Sequence, residues 1–351
     1  MTKRLAAGAA ATAMLAASLT VVGLASPATA CACGAPTPPS GTTVSVGEEH
    51  ALVTYDGTTE RIDMVLDMLA DGANTGLVVP TPTPATVSLG ESSIFEALDE
   101  QTAPVVETHE DWWGSPGDGA AGGAPEVLSE VDLGPVTAVT LAASDAAGLQ
   151  TWLTDNGYGI DPTVQSLFAD YIARGWSFAA LKLNVDAADG DEEAVLSGGL
   201  DPIRFEFATT QMVYPLLLSQ AATTPQTVRL YLFGDDGMQA TFPDGEVAGS
   251  VAWAGKVDRA SLMQFGAYLT VVEAYFADPA TEITGDLTIT STGERNDYTP
   301  VVTRTKYVEI GGVPLGLAIA GVAGVFGAML LLVIIGGIVH RRGEKRRRRA
   351  W

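Results

Sequence analysis

The densest grouping of chemically capable side chains is Thr108-His109-Glu110-Asp111-Trp112-Trp113. An imidazole beside carboxylates can bind a metal or exchange protons near neutral pH, so His109 with Glu107, Glu110 or Asp111 is one candidate centre. One histidine supplies neither the ligand set of a zinc site nor a nucleophile–base pair. The sequence therefore favours a plainer role, a loop whose two tryptophans anchor it to the core. A second candidate is the acidic run from Asp186 to Glu193, in which Asp186, Asp189 and Asp191 offer hard oxygen ligands to Ca²⁺. Its acids lack the spacing and closing glutamate of an EF-hand loop, and a solvated acidic loop is the expected reading.

The two cysteines, Cys31 and Cys33, stand one residue apart. Three fates compete: a small, strained and labile disulfide ring, pairing with another chain, or lipidation of Cys31 as the first residue after a cleaved leader. No Gly-x-Ser-x-Gly elbow, phosphate-binding loop or dinucleotide fingerprint stands in a suitable context. A serine hydrolase would have to draw its histidine from His50 or His109. No catalytic residue and no cofactor is assigned from the sequence.

The ends of the chain speak more clearly. Leu315 to Val339 is 25 residues without a charge, long enough as a helix to cross a hydrocarbon core of about 30 Å with some tilt. Seven arginines and lysines follow between Arg341 and Arg349, which places residues 340–351 as a cytoplasmic tail by the positive-inside rule. Lys3 and Arg4, an apolar stretch from Leu5 to Ala25 and Ala28-Thr29-Ala30 read as a cleaved signal peptide over 1–30. The expected arrangement is a single-pass membrane protein with its N-terminal domain outside. The net charge is −23 even though the tail is basic, so the outer part is more acidic still. Such a surface repels nucleic acid and anionic lipid and attracts cations or basic partners. Within the span, Gly316, Ala320, Gly324 and Ala328 recur every four residues, a small-residue face on which two helices could pair as a homodimer.

Between these ends, residues 31–43 read as a flexible leader and 44–310 as an α+β domain, mainly antiparallel sheet with several packed helices, with possible lobes 44–113 and 131–310. Glu49–Tyr55 and Thr58–Met68 around Asp56-Gly57 read as a β-hairpin. Gly76–Val79 is a short strand ended by Pro80, Pro82 and Pro84. Ser93-Ile94-Phe95-Glu96 opens a helix to Gln101. Gly114–Pro125 is a Gly/Ala/Pro loop. After the strand Val136–Ala142, helices start at Ser144 and Asp161 and stop at Gly157 and Gly175. Trp176–Val185, Phe205–Phe207, Val228–Phe233, Glu282–Thr292 and Val301–Val308 read as strands, and Ser261–Phe276 carries helical spacing. Only six residues separate the last strand from the membrane helix, so the domain is expected close to the bilayer with no long stalk.

The ordered pieces Cys33-Gly34, Val78-Val79-Pro80, Leu149-x-x-Trp152-Leu153-x-x-Asn156-Gly157-Tyr158, Tyr171-Ile172-x-x-Gly175-Trp176-x-Phe178, Lys182-Leu183, Leu200-Asp201-Pro202-Ile203-Arg204-Phe205 and Val213-Tyr214-Pro215-Leu216 resemble a bacterial family of extracytoplasmic proteins, domain-of-unknown-function family 2330. That resemblance implies a secreted or membrane-tethered domain and brings no activity or catalytic residue. The favoured expectation is a non-enzymatic surface module that contacts the membrane and other envelope proteins. The alternatives are an extracytoplasmic hydrolase around His109 and a cation-binding or sensing domain.

Overall fold

The structure is a computed structural model and describes residues 34–37, 44–70, 75–113, 137–141, 146–155, 157–158, 162–183 and 202–347. Residues 1–30 (the expected signal peptide), Cys31, Cys33, the expected loop Gly114–Pro125 and the acidic run 186–193 lie outside the described residues.

A long hairpin, Val44–Tyr55 and Thr59–Ala70, forms the middle of a seven-stranded sheet. Its connection holds because the Asp56 carboxylate accepts the N–H groups of Thr58 and Thr59, and Gly57 supplies the positive φ of 97°. Gln226–Gly234, Tyr268–Phe276 and Ser250–Lys256 extend the sheet on one side. Ile203–Ala208 and Thr86–Leu89 extend it on the other. All pairings are antiparallel except Gln226–Gly234 against Val44–Tyr55. Strands from both 44–113 and 131–310 thus interleave in one sheet.

Alternation along these strands creates two apolar faces. Ala51, Val53, Ile62, Met64, Phe205 and Leu230 pack against two smaller antiparallel sheets. One contains Ala35–Thr37, Thr75–Thr81, Ser177–Leu183 and Thr137–Leu141, and the other Met212–Tyr214, Leu287–Ser291 and Met238–Thr241. The opposite face, with Leu52, Tyr231, Phe233 and Leu269, is covered by Ile94 and Leu98 of the helix Ser92–Gln101 and by Leu262. On the far side of the four-stranded sheet, Val78, Phe178 and Ala180 pack against the helices Ala146–Asp155 and Pro162–Ala173 through Leu149, Leu153, Phe168 and Tyr171.

Those two helices end alike. Gly157 and Gly175 adopt φ of 84° and 77°; Tyr158 N–H reaches Leu153 O, and Trp176 N–H reaches Tyr171 O. This Schellman closure satisfies the last carbonyls and places Trp176 beside Tyr171. The Arg174 guanidinium lies 4.3 Å from the Tyr171 ring centroid and 4.7 Å from that of Trp176. Its Nη1 donates to Asp286 at 2.7 Å. Asp286 also accepts the Tyr171 hydroxyl and the N–H groups of Leu216 and Leu217, at 2.9 and 3.0 Å. One carboxylate therefore ties the helical layer to two segments of the three-stranded side.

Several expectations need correction. Part of the expected flexible leader is built into the fold: Ala35–Thr37 is an edge strand, and Gly34 is buried where an added Cβ would lie 2.8 Å from Leu77 and 2.9 Å from the Val78 carbonyl. The strand Thr75–Thr81 runs on through Pro80 and stops directly before Pro82. The helical spacing over Ser261–Phe276 is coincidental. Tyr268–Phe276 is a strand whose near-continuous burial between two neighbours and on two faces hides the period of two.

A two-stranded ribbon precedes the C-terminal helix. Val105–Asp111 and Val301–Tyr307 form a parallel, exposed two-stranded ribbon of seven register pairs, roughly 20 Å long at about 3.3 Å per residue. Beyond it, Glu309–Ile310 and Val313–Pro314 form a minimal hairpin, with Gly311 and Gly312 at φ of 61° and 79°. The helix Leu315–Arg347 follows; in its stretch Leu315–Ile338 no residue but Gly316 is buried in the chain, the most apolar 18 residues have mean hydropathy 2.7, and the stretch is long and apolar enough to cross a membrane.

Asp286→Ala would leave a hydroxyl and two N–H groups without their acceptor. We expect a stability loss of roughly 3 kcal/mol, read as a lower urea midpoint, with a smaller loss for Asp286→Asn. An unchanged midpoint would show that the tie contributes nothing.

Candidate functional site

The sequence-derived centre at His109 does not form. His109 lies on the exposed ribbon in register with Thr305, and Glu110 is in register with Lys306. The Asp111 side chain accepts the Trp113 N–H at 2.8 Å. The two tryptophans do not anchor a loop to the core. They are 45% and 64% exposed and sit at the first turn of the long helix. Among the described residues, no group of three or more His, Cys, Asp or Glu side chains is placed to hold a metal ion. On the helix, Gly316 is covered by Trp113 and the Trp112 carbonyl, whereas Gly324 faces open space and Ala320 and Ala328 are exposed.

The polar groups that do converge lie on the helix-covered face of the seven-stranded sheet, along the rim that Ser92–Gln101 leaves open. Register places Glu273, Arg229 and His50 side by side across three strands. Arg229 donates from Nη1 to Glu273 at 2.7 Å and from Nε to the Tyr231 hydroxyl at 3.2 Å. The Tyr231 hydroxyl in turn donates to Asp99 of the covering helix at 3.2 Å. His50 Nε2 lies 3.3 Å from Glu48, and its ring centroid 6.2 Å from that of Tyr231. The hydrogen bond from His50, with the charges of His50 and Arg229, holds the Glu48 carboxyl below its ordinary range. Burial pushes the Tyr231 phenol up.

Further along the same face, Asp63 pairs in register with Leu52 on one side and Arg204 on the other. It is 2% exposed and is clamped by both Arg204, at 2.7 Å, and Arg61. Arg61 also stacks over Phe265 at 5.1 Å. Three strands thus each carry a same-face pair of polar residues two apart: Glu48 and His50, Arg61 and Asp63, Arg229 and Tyr231. That alternation on strands otherwise apolar was the available signal for this rim. It becomes a cluster only once the register of distant strands is known. Chemically the rim holds charge and protons in place, and each base and cation in it already has a partner.

Two more carboxylates lie between the sheets. Glu49 accepts the Tyr214 hydroxyl, and Glu60 accepts the Val213 N–H on both oxygens, at 3.2 and 3.0 Å. Both therefore pin Met212–Tyr214 onto the hairpin. Burial raises the Glu60 carboxyl well above its ordinary value, only partly offset by the Val213 N–H.

These features define a layered α+β domain, mainly antiparallel, that carries one long apolar C-terminal helix. The family model described as "Uncharacterized protein conserved in bacteria (DUF2330)" matches residues 27–290, and the chain belongs to that family. The match includes the ribbon strand Val105–Asp111 but ends before its partner Val301–Tyr307. A comparison with curated proteins gave no match. Among solved structures, the crystal structure of baculovirus P35 aligns at 6% identity over 74% of this chain and 97% of that one, with a TM-score of 0.29. That score is too low to argue a shared fold.

The raised Glu60 carboxyl binds a proton more tightly folded than unfolded. Its contribution to stability is complete below the unfolded value and is lost as pH rises through the folded one. Glu60→Gln should remove that loss, so its urea midpoint relative to the native chain should climb with pH. A difference that stays flat with pH would refute the assignment.

Proposed function

We propose that this chain is a single-pass membrane protein that displays its α+β domain outside the cell membrane as a non-enzymatic interaction module. The observation that carries the anchoring is the stretch Leu315–Ile338, 24 residues whose most apolar 18 have mean hydropathy 2.7 and lie unburied by the rest of the chain. An apolar helix without a protein partner needs lipid around it. The arginines and lysines after His340 and the apolar leader before Cys31 favour a tail on the cytoplasmic side and a domain outside.

The distribution of charge supports the binding role. Each of the six arginines between residues 61 and 295 is ion-paired with an internal carboxylate. These arginines are thus engaged within the fold, and in a chain of net charge −23 the carboxylates that outnumber them give the domain its outward character. The fitting partner is a basic or cationic surface of another envelope protein, with long-range attraction that weakens as salt rises. The exposure of His109 on a two-stranded ribbon, with no cleft walled around it by buried residues among those described, weighs against the hydrolase alternative.

External protease on intact cells should digest the domain and leave a protected fragment containing Leu315–Ile338, and alkaline carbonate should leave that fragment in the membrane pellet. A domain spared by protease would reverse the orientation, and release by carbonate would remove the anchor.

A further inference from the structure

The ribbon, the small hairpin and the long helix meet in a built junction. Val308 N–H donates to the Asp111 carbonyl at 3.0 Å, Leu315 N–H to the Val308 carbonyl at 2.8 Å, and Gly316 N–H to the Trp112 carbonyl at 2.8 Å. The last two satisfy N–H groups that the first turn of a helix leaves without an internal partner. Gly316 is needed here: an added Cβ would lie 2.5 Å from the Trp113 indole and 2.8 Å from the Trp112 carbonyl. The indole is therefore seated on the helix at the residue after Leu315, where the apolar stretch begins. Trp112, Trp113, Ile310 and Val313 are all exposed around this point, and Leu317 continues the apolar surface into the helix.

We propose that Trp112, Trp113, Ile310 and Val313 form a collar that embeds in the outer headgroup–acyl boundary of a phospholipid bilayer. The proposal rests on the membrane reading above and adds a second point of attachment to it. Tryptophan suits this depth because its ring is apolar and its indole N–H still reaches water or headgroups. The surface is continuous with the stretch Leu315–Ile338, which calls for lipid, so its occupant is the same bilayer. With the collar embedded, the ribbon stands on the membrane as a short post. The helix is then coupled to the domain by two strands, one covalently and one through the Trp112 carbonyl.

The test uses the full chain reconstituted into phosphatidylcholine vesicles, with and without bromine on the lipid chains. The emission of Trp112 and Trp113 is the difference between the native chain and the Trp112→Phe, Trp113→Phe double variant, which cancels the other four tryptophans. Lipid brominated near the headgroup should quench that difference by about half or more, and lipid brominated near the bilayer centre should quench it less. In Gly316→Val, which keeps both tryptophans but removes the seat of Trp113, the quenching should fall while the thermal unfolding of the domain stays unchanged. A chain that floats with the vesicles, but whose difference emission ignores bromine and is quenched by aqueous iodide, overturns the collar alone. A chain that does not float overturns the membrane reading and the collar with it.

Discussion

The long hairpin at the centre of the large sheet is buried on both faces. Ala51, Val53, Ile62 and Met64 point to one side and Leu52 to the other. A ribbon of this kind has no face to give to water, so it is stable only with a covering layer on each side. The helix Ser92–Gln101 closes one face. The two smaller sheets close the other, and the four-stranded one then has its own far face to cover, met by the helices Ala146–Asp155 and Pro162–Ala173. The succession of layers follows from that demand and stops where a helix can turn a polar side outward.

The charged residues serve this layering. Asp286 joins the helical layer to the small sheet, Glu49 and Glu60 join the small sheet to the hairpin, and Asp99 joins the covering helix to Tyr231. The rim around His50 and Arg229 belongs to the same scheme. Its half-exposed groups hold one another rather than reaching toward a vacant position. Among the described residues, the rim's charged groups are thus engaged within the fold.

Much of the architecture was legible because local physics wrote it. Gly157 and Gly175 stop their helices by adopting positive φ, Asp56-Gly57 turns the hairpin, and the uncharged run after Pro314 announces its helix. The residues that carried the family resemblance are largely framework: Tyr171, Gly175, Trp176 and Leu216 build the tie at Asp286, and Arg204 clamps Asp63. The illegible parts depend on distant pairing. The polar run 105–111 reads as a loop until Val301–Tyr307 is beside it, and Trp112 and Trp113 read as core residues until the start of the long helix is placed against them. The rim was hidden for the same reason, since Arg229 meets His50 only through a register between strands far apart in sequence.

That distant pairing governs the order in which the molecule can be completed. Parallel strands cannot be joined by a tight turn, and both parallel pairings here link segments that leave the ribosome at widely separated times. The Val44–Tyr55 edge stays open until Gln226–Gly234 has been delivered, so during synthesis the apolar hairpin is half covered and depends on whatever shields nascent chains. The last gap, beside Val105–Asp111, closes only with Val301–Tyr307, immediately ahead of the apolar helix. Completion of the fold and arrival of its C-terminal helix are thus nearly one event.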